Sequence, residues 1–140
     1  MSKNARSAYV ASKQRIEAVS ANKTLEIAET GETYMIDAST AASNFTLTLP
    51  AVQEGAYFNF VLVAASAADS EVMIDTGSGA EIRGLTVVVT GGALVTAVAD
   101  AQVKFPDSAA LGSRLSLVCD GTNWIISEAV CSAAFATGVF

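Results

Sequence analysis

From residue 24 onward, apolar side chains recur at every second position, and a turn-forming residue interrupts the pattern every eight to twelve positions. Successive side chains of a strand point to opposite faces, so this period belongs to strands with one buried face. Thr24–Ala28 reads as a strand closed by Glu29-Thr30-Gly31-Glu32, and Thr33–Asp37 follows. Phe45, Leu47 and Leu49 alternate with Thr46 and Thr48, and Pro50 ends that strand because proline cannot donate to a ladder. Ala56–Ala64 is apolar on both faces, which predicts a central strand covered by two layers.

The remaining chain continues in this style. Val72–Asp75 and Gln102–Phe105 are short strand patterns, separated by hairpin signals. Gly91-Gly92 between Leu85–Thr90 and Ala93–Ala99 predicts a two-residue turn that sets Val89 against Leu94 and Val87 against Thr96. Asp120-Gly121-Thr122-Asn123 links Ser113–Cys119 to Trp124–Glu128, and Asp, Gly and Asn tolerate the backbone angles of a reversal. Nine or ten short strands without βαβ alternation predict an all-β fold. The expected form is a single antiparallel β-sandwich, jelly-roll-like or β-barrel domain with an extended N-terminal arm. Three segments are expected: the arm over 1–23, the β-domain over 24–128 and an apolar tail over 129–140.

At 140 residues, 51% hydrophobic and 16% charged, the chain can bury one core without staples. No apolar run is long enough for a transmembrane helix, and residues 1–22 lack the apolar stretch of a secretory signal. Tyr9, Ile16 and Val19 sit at near-helical spacing, but without a cap or wide apolar stripe residues 5–20 read as extended. Charge divides the chain. Residues 1–23 hold Lys3, Arg6, Lys13, Arg15 and Lys23 against Glu17 alone, whereas residues 24–140 hold three basic and thirteen acidic side chains. A basic arm on an acidic body fits either an arm that seeks an acidic partner or one that is merely solvated. The acidic body argues against nucleic acid as a ligand. The tail carries Val130, Phe135, Val139 and Phe140 with no charge after Glu128. It either completes the domain's own sheet or packs on a neighbouring subunit.

Chemistry-bearing patterns are sparse. The chain has no histidine, which removes Ser-His-Asp and Cys-His catalysis and most zinc or iron sites. Cys119 faces Trp124 if residues 120–123 turn, and that register keeps Cys131 beyond bridging distance, so two free, partly buried thiols are expected. Carboxylates at Asp69, Glu71 and Asp75, and at Glu26, Glu29 and Glu32, sit where turns and solvent-facing strand positions normally place acids. A glycosidase would need two of them opposed across a cleft. Asp75-Thr76-Gly77-Ser78-Gly79 lacks the alternating ligands of a calcium loop and the lysine of a phosphate loop. Trp124, Tyr9, Tyr34 and Tyr57 could stack on sugars or bases, but strand aromatics are more often core. The residues point to a binding or structural domain, with no enzyme activity, cofactor or metal expected.

One resemblance sharpens this. Tyr34-Met35-Ile36-Asp37-Ala38, Phe45-Thr46-Leu47-Thr48-Leu49-Pro50, Gly55-Ala56-Tyr57-Phe58 and Cys119-Asp120-Gly121-Thr122-Asn123-Trp124 resemble a pattern of tailed-bacteriophage virion proteins. There a T-x-T-L-P strand precedes an aromatic strand and a terminal S-D-G-T-N-W turn. Cys119 stands here for the usual serine, and the match covers about residues 24–128. The family so resembled takes in capsid decoration (cement) and head-fibre-type virion proteins; for this chain the resemblance implies a decoration protein, made in the bacterial cytoplasm and carried on the outer capsid surface. It implies a homotrimer with the major capsid protein as partner, and neither nucleic acid nor membrane. On this reading Lys3, Arg6, Lys13, Arg15 and Lys23 contact the capsid, and Val130, Phe135, Val139 and Phe140 contact other subunits. A fibre module that binds host-surface glycan or protein is the alternative it leaves open.

Overall fold

The computed structural model describes residues 14–41, 43–66, 70–89 and 94–138. These form two β-sheets packed face to face around one core. The strands are β1 (Arg15–Val19), β2 (Lys23–Thr24), β3 (Glu32–Asp37), β4 (Phe45–Thr48), β5 (Tyr57–Ala64) and β6 (Val72–Asp75), then β7 (Ile82–Val88), β8 (Leu94–Asp100), β9 (Gln102–Phe105), β10 (Arg114–Cys119), β11 (Trp124–Cys131) and β12 (Ala136–Thr137). A seven-stranded sheet runs β1-β3-β5-β10-β11-β7-β8, and a five-stranded sheet runs β12-β9-β6-β4-β2. Among the described residues no helix is long and apolar enough to cross a membrane.

The sandwich matches the expected fold class, but its sheets are mixed rather than antiparallel. The chain changes layer at each connection from β1 to β7, so β1, β3 and β5 lie parallel in one sheet, and β2, β4 and β6 lie parallel in the other. A strand that crosses to the facing sheet and back re-enters beside its predecessor in the same direction. Antiparallel pairing returns with the β7–β8 and β10–β11 hairpins, and β10 inserts beside β5. The period-two pattern is the same for both kinds of pairing when one face is buried, so the sequence carries no sign of this.

Each strand turns its apolar side inward. Tyr34, Phe58, Phe60, Leu115 and Trp124 of the larger sheet meet Leu47, Ile74, Val103 and Phe105 of the smaller one, all with 1% exposure or less. Tyr34 stacks on Phe60 with ring centroids 5.6 Å apart, and Phe58 lies 5.7 Å from Trp124. The Asp120 carboxylate closes the reversal before Trp124, accepting from the backbone N–H groups of Thr122 (2.8 Å) and Asn123 (2.7 Å). These bonds hold its carboxyl below the usual range. Cys119 pairs with Trp124 as expected, and both cysteines are free and fully buried.

Several expectations change. The segment expected as a strand over Thr24–Ala28 is β2 followed by a 3₁₀ turn, Ile27–Glu29, because Glu29 Oε2 accepts from the Glu26 N–H at 2.7 Å and closes a capping box. The expected arm is shorter, since Arg15–Val19 is an edge strand of the larger sheet; residues 1–13 lie outside the described residues. Gly91-Gly92 also lies outside them, but the flanking register is Val88 with Leu94 and Thr86 with Thr96, one residue off the expected pairing. The paired residues Val88 and Leu94 are separated by five positions, 89–93, and Val89 N–H donates to Cys131 O of β11 at 3.0 Å. The tail folds back on its own chain. β11 extends through Val130 to Cys131, and β12 pairs with β9. Phe135, expected at a subunit contact, is 8% exposed and packs edge-on against Phe105 with centroids 5.1 Å apart. Val139 and Phe140 lie outside the described residues.

β11 carries a bulge at Ser127, whose hydroxyl donates to Ser116 O at 3.1 Å. Beside it Gly84 of β7 has φ +147°, and a Cβ there would stand 2.7 Å from the Ile126 Cβ. The two strands therefore meet only because this position has no side chain. Gly84→Ala is expected to lower stability by about 1–3 kcal/mol, whereas Gly79→Ala, with open space around it, changes it by less than about 0.5 kcal/mol. Urea melts of the two variants measure the contrast, and equal midpoints would contradict this packing.

Candidate functional site

Two surface features stand out from the solvated exterior: an ionic cluster where the sandwich opens at β1, and the outer face of the larger sheet. The cluster forms where the inward side of β1 and β3 runs out of apolar partners. Lys23 Nζ donates to Glu17 Oε2 at 2.6 Å and Glu29 Oε1 at 2.8 Å. Its ammonium also lies 5.3 Å from the Tyr34 ring centroid. The Tyr34 hydroxyl donates to Glu32 Oε2 at 3.2 Å. Arg15 bridges to Glu32 at 3.5 Å and donates to the carbonyls of Ala28 and Thr30. Oxygens of Glu17, Glu29 and Glu32 lie within 4.8 Å of one another, an arrangement that could hold a cation. The cation at this point is Lys23 itself.

The electrostatics follow from that geometry. Burial alone would pull the Lys23 ammonium down, but the bonds to Glu17 and Glu29 prevail and hold it above the ordinary 10.5. Burial likewise opposes ionisation of Glu29, yet the Lys23 and Glu26 N–H donors keep its carboxyl below the ordinary 4.5. Burial, then Glu29 and Glu32, push the Tyr34 hydroxyl up. Of the five basic residues expected to reach a partner, Arg15 and Lys23 are thus engaged within the chain. Lys3, Arg6 and Lys13 lie outside the described residues.

The second feature was half legible in the sequence. Ala56–Ala64 is apolar on both sides, but only Ala56, Phe58, Phe60 and Leu62 enter the core. Among the described residues no second layer covers the other side, where Tyr57 is 49% and Val63 44% exposed. Register extends this face across the sheet through Ile16 and Met35, past Val61 and Val118, to Ile125, Val130 and Leu85. Of the seven large exposed hydrophobic residues among those described, all but Leu111 lie on it. The missed signal is the apolar character of alternate positions in neighbouring strands, which the sequence reading credited to coverage by the chain itself.

Other chemistry-bearing residues are dispersed. Glu71 pairs with Lys104 at 3.0 Å, Asp75 accepts from Gly77 N–H at 2.9 Å, and Asp69 lies outside the described residues. Trp124 is fully buried, which removes its ring as a stacking platform; its Nε1 is the one buried side-chain nitrogen or oxygen without a hydrogen-bond partner among the described residues. A shallow polar cleft of about 280 Å³ lies on the smaller sheet between Asn22, Lys23, Thr24, Thr46 and Thr48. No protein-family model and no curated protein matches the sequence.

The cluster makes a signed prediction. Glu29 contributes stability that is whole above about pH 4.5 and is lost as pH falls through its lowered folded value; the Lys23 contribution is whole below 10.5 and lost above its raised value. Lys23→Met leaves three carboxylates facing one another and is expected to cost about 1–3 kcal/mol at neutral pH, between the exposed-pair and buried-pair cases. That gap narrows below about pH 4.5, where the native pairing is lost and protonation relieves the variant's repulsion. Thermal melts of both chains from pH 7 to pH 3 measure it. A gap independent of pH would contradict the assignment.

Proposed function

We propose that this chain is a structural virion protein of a tailed bacteriophage, a decoration (cement) protein that binds the outer surface of the assembled head and stabilises it against internal DNA pressure. The observation that carries the reading is the set of motifs resembling virion proteins: Phe45-Thr46-Leu47-Thr48-Leu49-Pro50, Gly55-Ala56-Tyr57-Phe58 and Asp120-Gly121-Thr122-Asn123-Trp124. Their positions in a layer-crossing strand, a central strand and the reversal before a core tryptophan support a shared scaffold over a shared active site. The absence of histidine from the chain and the structural engagement of Glu71, Asp75 and the Glu17–Glu29–Glu32 cluster support binding without turnover.

The proposed mechanism is linkage. A protein that binds the closed shell but not its separated subunits stabilises the shell by mass action. Contacts repeated in a homotrimer add by avidity, so each one can be weak. Because Arg15 and Lys23 are already paired within the chain, the basic residues left to meet an acidic capsid surface are Lys3, Arg6 and Lys13.

Heads stripped of this protein are expected to release DNA at a lower temperature than decorated heads, and adding the pure protein back restores the difference. Deleting residues 1–13 weakens reattachment while circular dichroism of the β-domain stays unchanged. Identical release temperatures with and without the protein contradict the proposal.

A further inference from the structure

We infer that the outer face of the seven-stranded sheet is the surface through which copies of this chain pack on one another. The inference gives contact between copies a location, and it depends neither on a phage head as the partner nor on the three copies of the preceding reading.

Size favours an interface. Seven strands about 4.8 Å apart and roughly 20 Å long present a face of roughly 600 Å². With side-chain relief this approaches the ~800 Å² per partner of a stable specific interface. Six of the exposed large apolar residues share that face, interspersed with Asn59, Ser116, Arg114 and Glu128, and a cluster of exposed apolar side chains rimmed by polar ones marks a contact site. Ile16 (61% exposed), Leu85 (60%) and Val89 (57%) spread the patch from β1 to the end of β7. At one end Val89, Leu111 and Val130 line a groove of about 330 Å³, with Leu111 72% exposed at its rim. Leu111 stands beside the face, not on it, in the connection between β9 and β10, so the groove marks the edge of the patch.

Charge selects the occupant. The chain carries a net charge of −6, so two copies repel over most of their exterior. This face is different. Four of its charged side chains close on each other, Arg114 with Glu128 at 2.7 Å and Arg83 with Glu81 at 2.7 Å, so each pair carries no net charge. A strongly acidic or basic partner finds no unmatched charge among these four residues. A second copy of the same neutral, apolar face satisfies both the area and the charge pattern.

Sedimentation velocity of the purified full-length chain at micromolar concentration tests the inference. The native chain is expected to sediment as an oligomer. Val63→Glu and Leu85→Glu, both at exposed positions, place a buried charge in the contact and are expected to weaken association by at least ~100-fold with circular dichroism unchanged. Thr46→Glu, on the outside of the smaller sheet, leaves the oligomer intact. A second readout needs no disruptive variant. Ser116→Cys adds a thiol at the centre of the face, while native Cys119 and Cys131 are only 2% and 1% exposed. That thiol is expected to resist maleimide in the oligomer and react after dilution. A monomeric native chain, oligomers that survive both glutamates, or labelling independent of concentration would each overturn the inference, including the case in which the face is kept for a different protein. Failure to protect heads with the oligomer intact would instead count against the phage reading alone.

Discussion

Everything in this fold depends on each sheet having one face to bury and finding it in the other sheet. Apolar burial yields roughly 25 cal/mol per Å² and has no direction, so direction must come from the strands. Alternation supplies it, since Phe58, Phe60 and Leu62 can enter the core together only if Tyr57, Asn59, Val61 and Val63 leave it. The chain meets this constraint by changing layers at successive connections in its first half, which makes β1, β3 and β5 parallel neighbours. Gly84 and the Ser127 bulge then let the C-terminal hairpin dock between β5 and β7.

The same rule explains the two surface features. Tyr34 spans from the core to the open rim, where its hydroxyl meets Glu32 and an ammonium–carboxylate network takes over from apolar packing. The residues that close this rim, Arg15, Glu17 and Lys23, come from the end of the chain that looked like a free arm. On the larger sheet the outward half of the alternation is itself apolar, and nothing in the described chain lies over it.

Much of the fold was legible from spacing. Phe45, Leu47 and Leu49 announce a half-buried strand, and residues 120–123 announce the reversal that seats Trp124. What was illegible depends on partners remote in sequence. Parallel and antiparallel neighbours impose the same period, so nothing near Tyr34 tells that β5 lies beside it in the same direction. The hairpin pairs Val88 with Leu94, one residue from the predicted register, so five positions rather than two separate its strands and Gly91-Gly92 alone does not announce that spacing. Lys23 reads as one of five basic arm residues until β1 and the 3₁₀ turn bring Glu17 and Glu29 to it. The outward apolar face was visible as composition, in Tyr57, Val61 and Val63, but that no described residue covers it is a three-dimensional fact.

On the proposed reading the chain is a small scaffold whose work lies on its surfaces, with copies joined through the larger sheet and the basic N-terminal residues meeting an acidic shell. Cryo-electron microscopy of intact particles measures this most directly. The account predicts density for the chain on the outer surface of the head, with the seven-stranded sheets buried between neighbouring copies and residues 1–13 running toward the capsid. Particles without this density, or copies whose seven-stranded sheet faces open solvent, would contradict it.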